Sequence, residues 1–124
     1  MGEPLYKAES YKIIGLCMEV YNVLGKGYSE AVYKDALEYE LAQNGIPFSR
    51  EREYKIQYKD VILPHKYFAD FVVFDKFLLE AKAVECLNNV HVKQVLNYLA
   101  TSKLRLGLLV NFGEGSLVSR RVVL

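Results

Sequence analysis

Apolar positions recur every three or four residues through Ile13, Leu16, Cys17, Val20 and Leu24, the spacing of one buried helix face. Residues 7–24 therefore read as an amphipathic helix, with Gly25 placed to close it. After a short turn at Gly27-Tyr28-Ser29, Ser29 can cap a second helix that carries Val32, Tyr33, Ala36, Leu37 and Leu41. Asn44-Gly45 ends that helix, and Pro47 prevents its resumption. The period then changes. Arg50–Tyr58 alternates as a half-exposed strand does, and Lys59-Asp60 reads as a hairpin turn. Two strands follow at 66–74 and 77–84, whose runs Tyr67–Phe74 and Phe77–Val84 are apolar on both faces but for three charges, the mark of central strands covered on both sides. Helical spacing returns over residues 89–102, Leu104–Asn111 is a further apolar strand, and Gly113-Glu114-Gly115 turns the chain into a last strand at Leu117–Leu124. The predicted order is ααβββαββ, a single α/β or α+β domain over residues 1–124.

Length and composition fit this reading. A chain of 124 residues, 52% hydrophobic and 25% charged, can bury a core as a soluble globular domain. No apolar run approaches a membrane span and no signal peptide precedes Glu3, so a cytoplasmic protein without a membrane partner is expected. Cys17 and Cys86 are isolated in apolar patterns and read as reduced core thiols. The net charge of +1 carries no nucleic-acid signal, but its distribution is uneven. Nine Lys and Arg face twelve Asp and Glu up to residue 75, and seven face three thereafter. Lys93, Lys103, Arg105, Arg120 and Arg121 could form a basic face near a site or an ordinary solvated surface.

Three charges interrupt the two buried strands: Asp70 in the first, Glu80 and Lys82 in the second. A charge there loses several kcal/mol of solvation unless it finds a partner. An aspartate followed ten residues later by Glu-x-Lys is the layout of a metal-dependent phosphodiesterase site. Two hard oxygen ligands would hold a divalent cation, and the lysine would stabilise or orient the attacking water. The alternative is a buried ion pair of Lys82 with Asp70 or Glu80. Strand geometry sets a condition. A two-residue turn at Asp75-Lys76 would put Asp70 and Glu80 on opposite faces, so a shared metal requires a three-residue loop or a bulge. On the third helix His91, Gln94 and Tyr98 project from one side as boundary residues, or Gln94 and Tyr98 hold the lysine or a phosphate; His91, with no second histidine or cysteine near it, is a poor zinc ligand. Glu30, in the first turn of its helix, suits the macrodipole; it could also add a third acidic group, directly or through water. Tyr33, one turn on, is expected to pack.

Gly27-Tyr28-Ser29-Glu30-Ala31-Val32-Tyr33 matches the pattern that names the GxxExxY family, which resembles the PD-(D/E)XK nuclease superfamily. The resemblance runs on through the Asp70 strand, Glu80-Ala81-Lys82-Ala83-Val84, His91-x-x-Gln94-x-x-Asn97-Tyr98-Leu99 and Gly107–Gly113. Gln94-x-x-x-Tyr98 is also similar to the signature of recombination-type exonucleases within that superfamily. Ala69 stands where the superfamily's proline would precede the aspartate, a position with no chemical role. The resemblance implies a restriction-endonuclease-like core, a central mixed sheet flanked by helices. It implies Asp70 and Glu80 as ligands of Mg²⁺ (or Mn²⁺), with Glu30 supporting the metal. Lys82 would be the active-site lysine, and Gln94 and Tyr98 would position it or the substrate phosphate. The activity so implied is a nuclease that hydrolyses phosphodiester bonds of nucleic acid, with DNA the leading substrate and a homo-oligomer one way to grip a duplex. Two readings stand against it: a non-catalytic nuclease-fold module that binds nucleic acid or a protein, and a structural domain whose three charges satisfy one another.

Overall fold

Five strands form one sheet in the order in which they occur along the chain, with helices on both of its faces. The computed structural model describes residues 4–124. Its elements are α1 (Lys7–Leu24), α2 (Glu30–Gln43), β1 (Phe48–Tyr58), β2 (Val61–Val73), β3 (Phe77–Lys82), α3 (Asn89–Ser102), β4 (Leu106–Asn111) and β5 (Val118–Val123). Neighbouring strands are antiparallel except β3 and β4, which run parallel because α3 carries the chain across between them. The expected order and the α+β class with a mixed sheet are both present.

Helices α1 and α2 cover one face of the sheet. Ile13, Cys17 and Val20 of α1 and Tyr33, Leu37 and Leu41 of α2 pack with Phe71, Phe77, Leu79, Leu106, Leu108 and Val110. Helix α3 covers the other face, where Val95 and Leu99 meet Val72, Leu78 and Leu109. It lies close to the sheet because Gly107 has no side chain. A Cβ there would stand 2.6 Å from Val95 Cγ1. Tyr33 packs, as expected: it stacks on Phe112 with ring centroids 4.5 Å apart, and its hydroxyl donates to the Gly25 carbonyl at 2.6 Å. That bond ties the start of α2 to the end of α1, where Gly25 adopts φ 67° and donates to Tyr21.

Some details differ from the sequence reading. Ser29 occupies the N-cap of α2, but its side chain makes no capping hydrogen bond; its carbonyl accepts from Val32 and Tyr33 instead. Strand β2 begins at Val61, earlier than expected, since Tyr58 pairs with Val61 around the Lys59-Asp60 turn. Pro64 masks this from the pattern, and it sits where the register with β1 shifts and no ladder bond is needed. Strand β3 ends at Lys82, not at residue 84. There the buried Asn111 takes over from the ladder, accepting from Val84 N and donating to Val84 O. Cys17 is buried, which pushes its thiol up to about 12, but Cys86 is exposed, on the short segment between β3 and α3. It is therefore not the core thiol its apolar neighbours indicated.

Candidate active site

The β2–β3 hairpin turns through three residues, Phe74, Asp75 and Lys76, closed by Lys76 N donating to Val73 O at 3.0 Å. Phe74 and Asp75 both adopt φ 57° to make the turn. The register pairs Val73 with Phe77, Val72 with Leu78 and Phe71 with Leu79, so the next opposed pair is Asp70 and Glu80. This is the odd-length connection that a shared site requires. The backbone ladder stops at that pair. Asp70 N donates to Glu80 Oε2 at 2.9 Å, and Ala81 N donates to Asp70 Oδ2 at 2.9 Å. Each carboxylate thus takes an N–H that ladder pairing would otherwise have used. Alternation inverts at the same point. Tyr67 and Ala69 pack on the α3 side, whereas Phe71 and Val73 pack on the α1/α2 side. Glu51, bracketed by the pairs Arg50–Phe71 and Arg52–Ala69, adopts φ 54°, an uncommon conformation for a residue with a side chain. The strands kink where the site lies.

Glu80 is 4% exposed and accepts a second hydrogen bond on Oε2, from the Tyr67 hydroxyl at 3.0 Å. Burial first, then the charge of Asp70, pushes its carboxyl from an ordinary 4.5 up to about 8. The same burial and the Glu80 charge drive the Tyr67 hydroxyl well above its usual range. The Tyr67 ring is held between Tyr98, stacked at 3.8 Å, and Tyr54 at 5.8 Å. Tyr98 thus comes to the site by its ring.

Lys82 Nζ donates to Gln94 Oε1 at 3.4 Å. Among the described residues no ion pair joins Lys82 to Asp70 or Glu80. The cation on Asp70 is Lys34 of α2, with Nζ 3.3 Å from Asp70 Oδ1 and 3.0 Å from Glu51 Oε1. Burial opposes the Lys34 charge, but Glu51 and Asp70 together outweigh it and raise its pKa. The sequence reading missed Lys34. Its signal was position, one helical turn beyond Glu30 and therefore on the same side of α2.

Glu30 is the first residue of α2 and partly buried. Among the described residues no three Asp, Glu, His or Cys side chains are gathered as a metal-holding group, so Glu30 does not join Asp70 and Glu80 in one cluster. His91 is occupied in a capping box, its Nδ1 accepting from Asn88 N while Asn88 Oδ1 accepts from His91 N. Of the basic residues in the C-terminal half, Arg121 braces α1 by donating to Ser10 Oγ and the Leu5 carbonyl. Lys93, Lys103, Arg105 and Arg120 are exposed.

The sheet is mixed, two carboxylates face each other where its strands part, and a lysine stands two residues beyond the second. The family description of the PD-(D/E)XK nuclease superfamily matches residues 7–122, and the chain belongs to that superfamily. Among solved structures, the one titled "Crystal structure of SSO0001" superposes with a TM-score of 0.60 at 19% identity, a likeness of fold. The match covers 75% of this chain and 48% of that one, so this chain spans about half the length of its structural relative. No curated protein matches the sequence. Among the described residues no helix is long and apolar enough to cross a membrane.

Proposed function

We propose that the protein is a metal-dependent nuclease that hydrolyses phosphodiester bonds of nucleic acid, DNA foremost, using Mg²⁺ or Mn²⁺. The observation that carries this reading is the opposed Asp70–Glu80 pair. Glu80 is a buried carboxylate with both of its hydrogen bonds on Oε2, and the lysine two residues on is held by Gln94 rather than by Glu80. The donor set suits a hard divalent cation: two carboxylates side by side, one of them held back from ionising by its burial and by the charge of the other. Asp70 and Glu80 would hold the ion directly, and Glu30 would act through water. When bound, the metal supplies Lewis-acid activation of the phosphate and of the attacking water.

The chain's own residues would do the rest. Tyr67 fixes the Glu80 carboxylate by its hydrogen bond and is itself locked between Tyr54 and Tyr98. Gln94 accepts from Lys82, which turns the ammonium toward the site, where it can donate to a phosphate oxygen as negative charge develops. Lys34 offsets part of the repulsion between Asp70 and Glu80 while no metal is bound. That same ion pair favours the second reading, a nuclease-fold module that binds nucleic acid or a protein without cleaving it, because Lys34 already satisfies one oxygen of Asp70.

Purified protein incubated with labelled single-stranded and duplex DNA separates the two. Cleavage that needs Mg²⁺ or Mn²⁺, stops with chelator and is absent from Asp70→Ala is the expected outcome. Binding with no cleavage under either metal would favour the non-catalytic module instead.

A further inference from the structure

The long β1–β2 hairpin continues beyond the point where β2 leaves β3, and its residues from Arg52 to Phe68 form a two-stranded ribbon flanking the carboxylates. One face of the ribbon, with Tyr54 and Tyr67, packs toward α3. The other face is exposed and combines an aromatic ring with lysines. Phe68, two residues before Asp70, is 50% exposed in the middle of a strand. It points away from the side on which its neighbours Tyr67 and Ala69 are buried, toward the side from which Lys34 reaches Asp70. Next along this face Lys55 and Lys66 stand directly opposite each other, a like-charge pairing that weakens a hairpin. Glu53, opposite Phe68, is bridged to Lys66 at 3.4 Å, which offsets its charge. Near the tip Ile62 is 54% exposed, and Lys59 lies over the exposed Tyr58 ring. From Arg52 to Phe68 there are four Lys and Arg against two Asp and Glu, although the whole chain is close to neutral.

An exposed aromatic ring flanked by lysines, about 7 Å along the strand from the candidate catalytic aspartate, has the chemistry of a single-strand platform. A nucleobase has a face to stack on the ring only if it is not already stacked in a duplex. Paired lysines suit the phosphates on either side. We propose that this outer face of the ribbon binds single-stranded nucleic acid: one base stacks on Phe68, Lys55 and Lys66 hold the adjoining phosphates, and the strand continues to Asp70 and Glu80. The proposal deepens the nuclease reading by naming its substrate class, single-stranded over duplex, and its binding half can be tested without cleavage.

Fluorescence anisotropy in chelator, with a labelled single-stranded DNA oligonucleotide, its duplex form and the same sequence as RNA, tests it on the whole protein. The single strands are expected to bind more tightly than the duplex. Phe68→Ala and Phe68→Leu should each weaken single-strand binding about tenfold, while Phe68→Trp should retain it. The leucine variant keeps an apolar strand residue, so loss of binding there reports the missing ring rather than misfolding. Lys55→Ala with Lys66→Ala should lower the salt dependence of log K by about 0.7 for each lysine. Equal affinity of parent and Phe68→Leu, a preference for duplex, or no nucleic-acid binding (as a docking face for protein would give) overturns the proposal. Cleavage of duplex that is indifferent to Phe68 would overturn it and leave the nuclease reading standing. Phe68-dependent binding with no cleavage under Mg²⁺ or Mn²⁺ would uphold the platform and sink the nuclease.

Discussion

Replacing Lys82 by alanine is expected to slow cleavage of nucleic acid by about 10²–10⁴-fold, with the fold and metal binding retained. Lys82 closes β3, and the backbone there is fixed without its side chain. Phe112 N donates to Lys82 O at 2.8 Å, and the Asn111 side chain clamps Val84 from both N and O. The ammonium makes a single long bond to Gln94, so its removal leaves no tightly held partner stranded. What is lost is a positive charge close enough to draw down the Glu80 carboxyl and to meet a developing phosphate charge. Single-turnover rates at saturating Mg²⁺, beside thermal melts of both proteins, would measure it. An unchanged rate would exclude Lys82 from the chemistry. A collapsed melt would identify it as a structural cation.

Replacing Glu80 by glutamine is expected to stabilise the metal-free protein at alkaline pH and to abolish its stabilisation by Mg²⁺. Glutamine keeps an oxygen that can accept from Tyr67 and Asp70 N, and it removes a charge that burial and Asp70 both oppose. The sign follows from linkage. The folded-state carboxyl is raised from 4.5 to about 8, so between those values the native state keeps a proton that the unfolded chain releases. Stability of the metal-free parent should therefore fall as pH rises through that window, and the glutamine variant should lack this contribution to the slope. Above pH 8 the variant should be the more stable by about 0.5–2 kcal/mol. Metal reverses the order. At a hundred times its dissociation constant, Mg²⁺ would add about 2.7 kcal/mol to the parent and nothing comparable to the variant. A self-satisfied ion network requires the opposite, a loss of about 3–5 kcal/mol on breaking it and no response to metal. Melts of both proteins from pH 5 to 9, with Mg²⁺ and with chelator, would decide between them.

Most of the fold was legible because its signals are periodic. The helix stripes at Ile13–Leu24 and Tyr33–Leu41 and the doubly apolar strands around Asp70 and Glu80 each fix an element and the face it buries, although Val32, expected in the second stripe, is exposed. The order of elements followed from them, and the hairpin's length followed from requiring Asp70 and Glu80 to meet. Where the reading misplaced a strand end, a side chain had interrupted or hidden a backbone pairing. Asn111 cuts β3 short, and Pro64 hides a strand that continues through an irregular stretch. The sequence could also name Lys82 as a buried cation without saying what it would face. Whether it met Gln94 or a carboxylate depended on how far α3 sits from the sheet, which is set by Gly107. Lys34 is the same lesson in reverse. Its place one turn beyond Glu30 puts it on that side of α2, but only the tertiary approach of α2 to the kink at Asp70 makes it more than a surface lysine.

The measurement closest to the central claim is anomalous scattering from crystals soaked in Mn²⁺. A peak at Asp70 and Glu80, with Lys34 remaining on Glu51, is the expected result. Saturating Mn²⁺ that leaves no peak there, with the Lys34–Asp70 pair intact, would contradict a metal-dependent nuclease.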